Sequence, residues 1–264
     1  MSFPISNRLL DALSVEERTP LLSQLERVAI PARATLFNAE RIPRYMYLLT
    51  SGVASIVSEM NAGQAVEVSM VGREGIPGSC RLLGSGMGHS RCVMLEAGTG
   101  LRMEFRKFEQ AFQMSPGLHK LVLQHVQHEA FMMEQLSACN RVHETEARLS
   151  RWLLMASDRV GDVLLNPTQE SMSKTLGTRR TTITQVASGM QRRGLIRYRR
   201  GRMQILDRDG LRESACECYP VTQRALQTLY DQAPVEAAPP APAQPWKQPS
   251  RMPSRVTSFT PRFA

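Results

Sequence analysis

Between residues 168 and 206 the chain leaves little choice of structure. Thr168 follows Pro167 and suits a helix N-cap. Met172 and Leu176, four apart, form the inner face of a short helix, and Ser173 is small enough to let a second helix approach. Gly177 then permits a tight turn. In residues 178–192, TRRTTITQVASGMQR, Ile183, Val186 or Ala187, and Met190 recur at helical spacing and face inward. Arg180, Thr181, Thr184 and Gln185 therefore fall on the opposite face, near the helix start. Gly194 breaks this helix, and 195–198 and 203–206 read as two strands around Arg199-Arg200-Gly201-Arg202. Helix, turn, helix and hairpin together predict a winged helix-turn-helix. In that arrangement the second helix, about 179–191, offers its N-terminal residues to base edges in the major groove.

Charge sharpens this expectation. Residues 179–202 hold eight arginines (179, 180, 192, 193, 197, 199, 200 and 202) and no Asp or Glu. The whole chain has 33 Lys and Arg against 24 Asp and Glu, a net charge of +9. A solvated helix face usually mixes signs, so a one-sign cluster on a helix and hairpin is an electrostatic footprint for phosphate. Arg179, Arg199, Arg200 and Arg202 are expected to anchor phosphates. Arg180, Thr181, Thr184 and Gln185 are expected to read bases, Arg pairing with guanine and Gln with adenine. Thr168, Gln169 and Thr182 complete the expected DNA-contact set. The rival use of this surface is docking on an acidic protein.

The rest of the 264 residues divides by texture. Residues 7–27 read as helical, with Ser14 and Glu17 as a capping box and Leu21, Leu22 and Leu25 on one face. From 28 to 105, short runs rich in β-branched and aromatic residues (45–49, 53–57, 66–70, 92–95 and 101–105) alternate with Gly-, Pro- and Asn-containing breaks, including 61–63. That spacing predicts an antiparallel barrel or roll. Pro116 marks the start of a long helix over 117–141, with Leu118, Leu121, Val122, Val126, Met133 and Leu136 as its apolar stripe. The stripe packs on its own domain or on a parallel second copy. His125, His128 and Glu129 interrupt it, so it is no clean heptad repeat. A helix over 144–158 follows, ending at Gly161. The tail, 233–264, holds eight of the sixteen prolines and predicts disorder, the alternative being a docking element at Phe259 and Phe263.

The fold class expected is thus α+β: a roll with an N-terminal helix (1–115), a dimerisation helix (116–141), a winged helix-turn-helix (142–220), a terminal helix (221–232) and the tail. The first residues lack the apolar stretch of a secretory signal, no run approaches a membrane span, and a cytoplasmic place is expected. No phosphate-binding glycine loop, HExxH or GxSxG occurs, so an enzyme is not expected. Of the five cysteines only Cys216 and Cys218 cluster. Such a pair is a thiol switch, a metal half-site or two structural residues packing the terminal helix. It falls short of a four-ligand zinc or iron–sulfur site unless Cys139 or a histidine comes close in space. No metal ligands and no cofactor are assigned.

RLSRWLLMASDRVG, followed by TQESMSKTLGTRRTTITQVASGMQRRGLIRYRRGRMQIL, resembles the Crp/Fnr family of bacterial transcription regulators. SGVASIV and MVGREGIPG, within 46–78, resemble that family's jellyroll sensor; the likeness covers about residues 5–220. It implies a cyclic-nucleotide-binding-like β-roll, a long dimerisation helix and a C-terminal winged helix. It further implies a homodimer on a palindromic promoter site in double-stranded DNA, with RNA polymerase and a small-molecule effector as further partners. The family's recognition helix commonly reads Glu-Thr-x-x-Arg or Glu-Thr-x-Ser-Arg; here Thr181, Thr182, Thr184 and Gln185 stand at the matching positions, so a different operator is expected.

Members that bind cyclic AMP use a Gly-Glu pair and an Arg-Ser pair. The nearest matches, Gly78-Ser79 and Arg91-Cys92, replace the ribose-binding carboxylate by a short hydroxyl and one phosphate donor by a thiol. Arg91 retains the capacity to pair with a phosphate. The iron–sulfur members' N-terminal cysteine cluster is missing before Cys80, and Pro4, Cys80 and His89 are isolated as haem ligands. His119, His125 and His128 read as solvated or interfacial. A rival within the same fold is a constitutive DNA-binding protein whose roll only dimerises.

Overall fold

The computed structural model describes residues 6–60, 65–161, 164–199 and 201–231. The expected turn at 61–63, Pro4, Arg200 and the tail 233–264 lie outside them. Two short helices open the chain, α1 (Arg8–Asp11) and α2 (Val15–Gln24), where one helix over 7–27 was expected. The break is Ser14, which sits in non-helical backbone and accepts the Glu17 N–H at 3.3 Å, capping a second helix. Glu17 turns its carboxylate to the Ser115 hydroxyl and the Gly117 N–H, fastening α2 to the start of the long helix.

Seven strands follow: β1 (Glu26–Ile30), β2 (Thr35–Phe37), β3 (Tyr45–Leu49), β4 (Val53–Glu59), β5 (Ala65–Val71), β6 (Ser90–Glu96) and β7 (Gly98–Glu104). They form two antiparallel sheets, ordered β1-β7-β3 and β2-β6-β4-β5. All five expected strands are present. Alternation along β4 turns Ala54 and Ile56 into the roll, beside Ile30, Leu36, Leu49, Cys92 and Met94. Val53 turns outward and joins a different core.

Phe105, expected at a strand end, instead begins α3 (Phe105–Met114). Phe105, Phe108 and Phe112 lie on one helical face and are buried against Met46, Leu101 and Leu118. Each such burial contributes about 1.5–3 kcal/mol. The long helix α4 (Pro116–Val142) has Pro116 in its first turn, as expected. Its Leu118, Leu121, Val122, Met132, Leu136 and Cys139 are buried within the chain. Leu123, Phe131 and Met133 stay exposed on the other side. His125, His128 and Glu129 are buried too, so neither histidine is solvated.

The remainder is α5 (Thr145–Val160), β8 (Leu164–Leu165), α6 (Gln169–Thr175), α7 (Arg180–Arg192), β9 (Ile196–Arg199), β10 (Arg202–Ile205), α8 (Arg208–Ser214) and α9 (Cys218–Gln227). Gly161 closes α5 with φ 73°. The small sheet is ordered β8-β10-β9. Leu149, Trp152, Leu153, Met172, Ile183, Met190 and Met203 form one core with Val53 and Met70 of the roll. The terminal helix begins earlier than 221, at Cys218. No helix among the described residues is long and apolar enough to cross a membrane.

Candidate nucleic-acid interface

α6 is fixed at its start by a reciprocal cap. The Thr168 hydroxyl accepts the Ser171 N–H at 3.0 Å, and the Ser171 hydroxyl accepts the Thr168 N–H at 2.9 Å. Met172 and Leu176 are buried beneath it. Gly177 turns the chain with φ 56°, a backbone that costs a side-chain-bearing residue strain. Helix α7 then buries Ile183, Ala187 and Met190. Arg179, Arg180, Thr181, Thr184 and Gln185 are exposed, whereas Thr182 is half-buried. The hairpin pairs Arg202 with Arg199 and Met203 with Tyr198. It is tied to α7 by Gln191, whose side-chain oxygen accepts the Tyr198 N–H at 2.9 Å.

The electrostatics of this surface are one-sided. Arg193 pairs with Glu146 at 2.5 Å. Among the described residues, Arg179, Arg180, Arg192, Arg199 and Arg202 have no carboxylate within ion-pair distance. Arg180 reaches only the Gln169 side-chain oxygen, at 3.5 Å. Unpaired guanidinium groups on a rigid helix and hairpin can bind phosphates and guanine edges without first breaking an internal ion pair. Thr168, Gln169 and Arg180 also line a groove of about 590 Å³ against the outer face of the roll, opposite Arg33, Ser55 and Arg91.

Comparison with known proteins agrees with this geometry. Residues 147–214 match the Crp-like helix-turn-helix domain. The transcriptional regulator SdrP of Thermus thermophilus is 28% identical over 178 residues, 64% of this chain and 83% of that protein. Residues 147–214 therefore form a Crp-like helix-turn-helix domain. Two solved structures share the fold. A crp/fnr-family regulator from Eubacterium rectale has a TM-score of 0.60 at 16% identity, covering 78% of this chain and 96% of that one. The c-di-GMP-responsive global regulator CLP of Xanthomonas campestris has a TM-score of 0.61 at 15% identity, covering 74% and 100%.

In the roll, the four expected ligand residues do not converge. Gly78, φ 74°, leads into a 3-10 turn, Ser79–Leu83, with the Phe37 ring where a Cβ would stand. Ser79 is fully buried and its hydroxyl donates to Glu129 of α4. Cys92 lies inside the roll. Arg91, the next residue along β6, faces outward and pairs with Glu59. Strand alternation separates the two.

Several residues that position the DNA-binding elements went unread. Arg159 of α5 pairs with Glu74 of the roll at 2.6 Å, both buried. Trp152 Nε1 donates to Glu67 at 2.9 Å, and the Ser55 hydroxyl donates to the same carboxylate. Glu96 accepts the backbone N–H and the side-chain amide of Asn166, just ahead of α6. Burial pushes the Glu67 carboxyl up to about 7, outweighing its hydrogen bonds and the charges of Arg151 and Arg159. Glu74 is held low because the Arg159 charge and backbone N–H groups outweigh its burial. Glu67 was hidden because Val66-Glu67-Val68 reads as a half-exposed strand whose acid faces water. Cys216 and Cys218, read as a pair, have Cys139 and His143 beside them.

Proposed function

We propose that this chain is a Crp/Fnr-type transcription regulator that acts as a homodimer on a palindromic DNA site, each α7 lying in one of two successive major grooves about 34 Å apart. The observation that carries the reading is the exposed, acid-free face of Arg179, Arg180, Thr181, Thr184 and Gln185 beside the arginines of the hairpin. Arg179, Arg199, Arg200 and Arg202 anchor phosphates; Arg180, Thr181, Thr184 and Gln185 read bases; Thr168 and Gln169 flank them. The exposed apolar side of α4 is the surface for the second copy. Selection from random DNA tests this reading. A palindromic motif bound with strong salt dependence is expected. Equal binding to scrambled DNA would overturn it in favour of a general basic surface. Recovery of the family's usual half-site would overturn the expectation drawn from Thr181 and Gln185.

For the roll, the geometry favours a signal other than cyclic AMP, or none. Ser79 is committed to Glu129, Arg91 to Glu59, and Cys92 to the interior. Responsiveness to c-di-GMP, as in the Xanthomonas relative, is one alternative. Thermal shift against a panel of cyclic nucleotides separates the cases: stabilisation by cyclic AMP would sink this part, while a response to another compound supports a sensor. RNA polymerase is the further partner if binding activates transcription.

A further inference from the structure

Cys139, in the last turn of α4, His143, its C-cap, and Cys216 and Cys218, flanking the α8–α9 junction, bring three sulfurs and one imidazole nitrogen within 4.8 Å of one another. Cys139 Sγ lies 3.6 Å from Cys216 Sγ, and Cys218 Sγ lies 3.6 Å from His143 Nδ1. A disulfide would need sulfurs about 2.0 Å apart. In a tetrahedral site with Zn–S near 2.3 Å and Zn–N near 2.0 Å, neighbouring ligand atoms stand about 3.5–3.8 Å apart. We propose that Cys139, His143, Cys216 and Cys218 form a closed, structural Cys3His site for one zinc ion.

The surroundings are those such a site requires. His143 turns Nδ1 toward Cys218 and Nε2 toward the Glu217 carboxylate, 3.0 Å away. Donation of the Nε2 proton to Glu217 leaves the Nδ1 lone pair free for a metal and fixes the ring's orientation. Gln135 Nε2 donates to Cys218 Sγ at 3.0 Å, a contact that favours thiolate. The charge is also complementary. Arg148 and Arg151 are buried, each has an Nε without a hydrogen-bond partner, and both lie within electrostatic range of the cysteines. Three thiolates around Zn²⁺ carry a net charge of −1, which supplies the anion that buried guanidinium groups need. Three cysteines packed merely as small apolar residues beside Ala147 would need neither the imidazole aimed at sulfur nor the glutamate behind it.

The placement gives the ion a purpose. Two ligands precede residue 147 and two follow residue 214, so they bracket the matched helix-turn-helix segment. Zinc would join both ends of that segment to the end of α4. The proposal does not depend on how the chain reads DNA.

The test is the metal content of the full chain, purified reduced from zinc-supplemented cells, together with cobalt substitution. About one zinc per chain is expected. Cobalt should give a thiolate charge-transfer band and the intense visible absorption of a tetrahedral ion. His143→Ala and Cys218→Ser should lose the metal, Glu217→Gln should weaken it about tenfold, and Cys80→Ser should keep it. If the cysteine variant fails to fold, the wild-type cobalt spectrum decides alone. A metal-free chain that gives no thiolate–cobalt band, or one isolated with a Cys139–Cys216 disulfide, would overturn the assignment.

Discussion

His125 fills the space left by a missing side chain. Its Nε2 accepts the Ile76 N–H at 2.8 Å, and a Cβ on Gly75 would stand 1.8 Å from that nitrogen. A protonated imidazole cannot accept this bond. Burial, with the charge of His128 and despite Glu74, pushes His125 down to about 4. The folded value lies below the unfolded one, so the contribution to stability is present above about 6.5 and lost as pH falls toward 4. Gly75→Ala should therefore lower Tm sharply, since the ring is walled in and overpacking a core costs about 1–3 kcal/mol. An unchanged melting curve would show that α4 can shift away from this turn. On the DNA side, Arg180 is exposed and free of carboxylate partners. Arg180→Ala should weaken binding by about 1–3 kcal/mol and relax preference at one base position. Uniform weakening across all sequences in a binding selection would reassign Arg180 to a phosphate.

At the scale of elements, α4 serves two surfaces at once. Leu118, Leu121 and Val122 pack on α3 and the roll, while Leu123, Phe131 and Met133 are exposed on the same helix. If the exposed side meets a second copy, Phe131→Glu should raise the dimer dissociation constant more than tenfold, about 1.4 kcal/mol or more. Sedimentation at equilibrium would measure it, with circular dichroism unchanged because Phe131 supports no internal core. A dimer of undiminished affinity would place the partner elsewhere. What the sequence made legible follows the same division. α4, α5, α6, α7 and the hairpin announce themselves through local chemistry: Pro116, Gly161, Thr168, Gly177 and Gly194. α3 does not, because Phe105 directly continues the apolar residues of β7. The metal cluster does not either, because Cys139 and Cys216 are 77 residues apart and only the fold makes them neighbours. The exposed face of α7 could be read from helical period alone; the ion pair of Arg193 with Glu146 could not.

Across the whole molecule, the roll grips the DNA-binding elements through buried carboxylates. Glu74 holds Arg159, Glu96 holds Asn166, and Glu67 receives Trp152 and Ser55. Among the described residues, only the first of these has a cation in direct contact, and that difference sets their pH behaviour. Glu67 is raised from 4.5 to about 7 by burial. Its folded value exceeds its unfolded one, so the cost of ionising it is absent below about 4.5, grows as pH rises, and is complete above about 7. Over that window the change corresponds to roughly 3 kcal/mol. Glu129, also raised to about 7, acts in the same direction, and His125 and His128, lowered to about 4, act in the opposite one. A bare stability profile would blend all four, but a difference between variant and wild type isolates one. In Glu67→Gln the side-chain oxygen can still accept from Trp152, and the amide can donate to the Ser55 hydroxyl. The variant's Tm minus that of the wild type should therefore lie near zero at pH 4.5 and climb to several degrees in the variant's favour by pH 8. A difference independent of pH would mean that Glu67 is ionised, with its charge neutralised by Arg151 and Arg159, and that a network of ion pairs rather than a protonated acid joins the roll to α5.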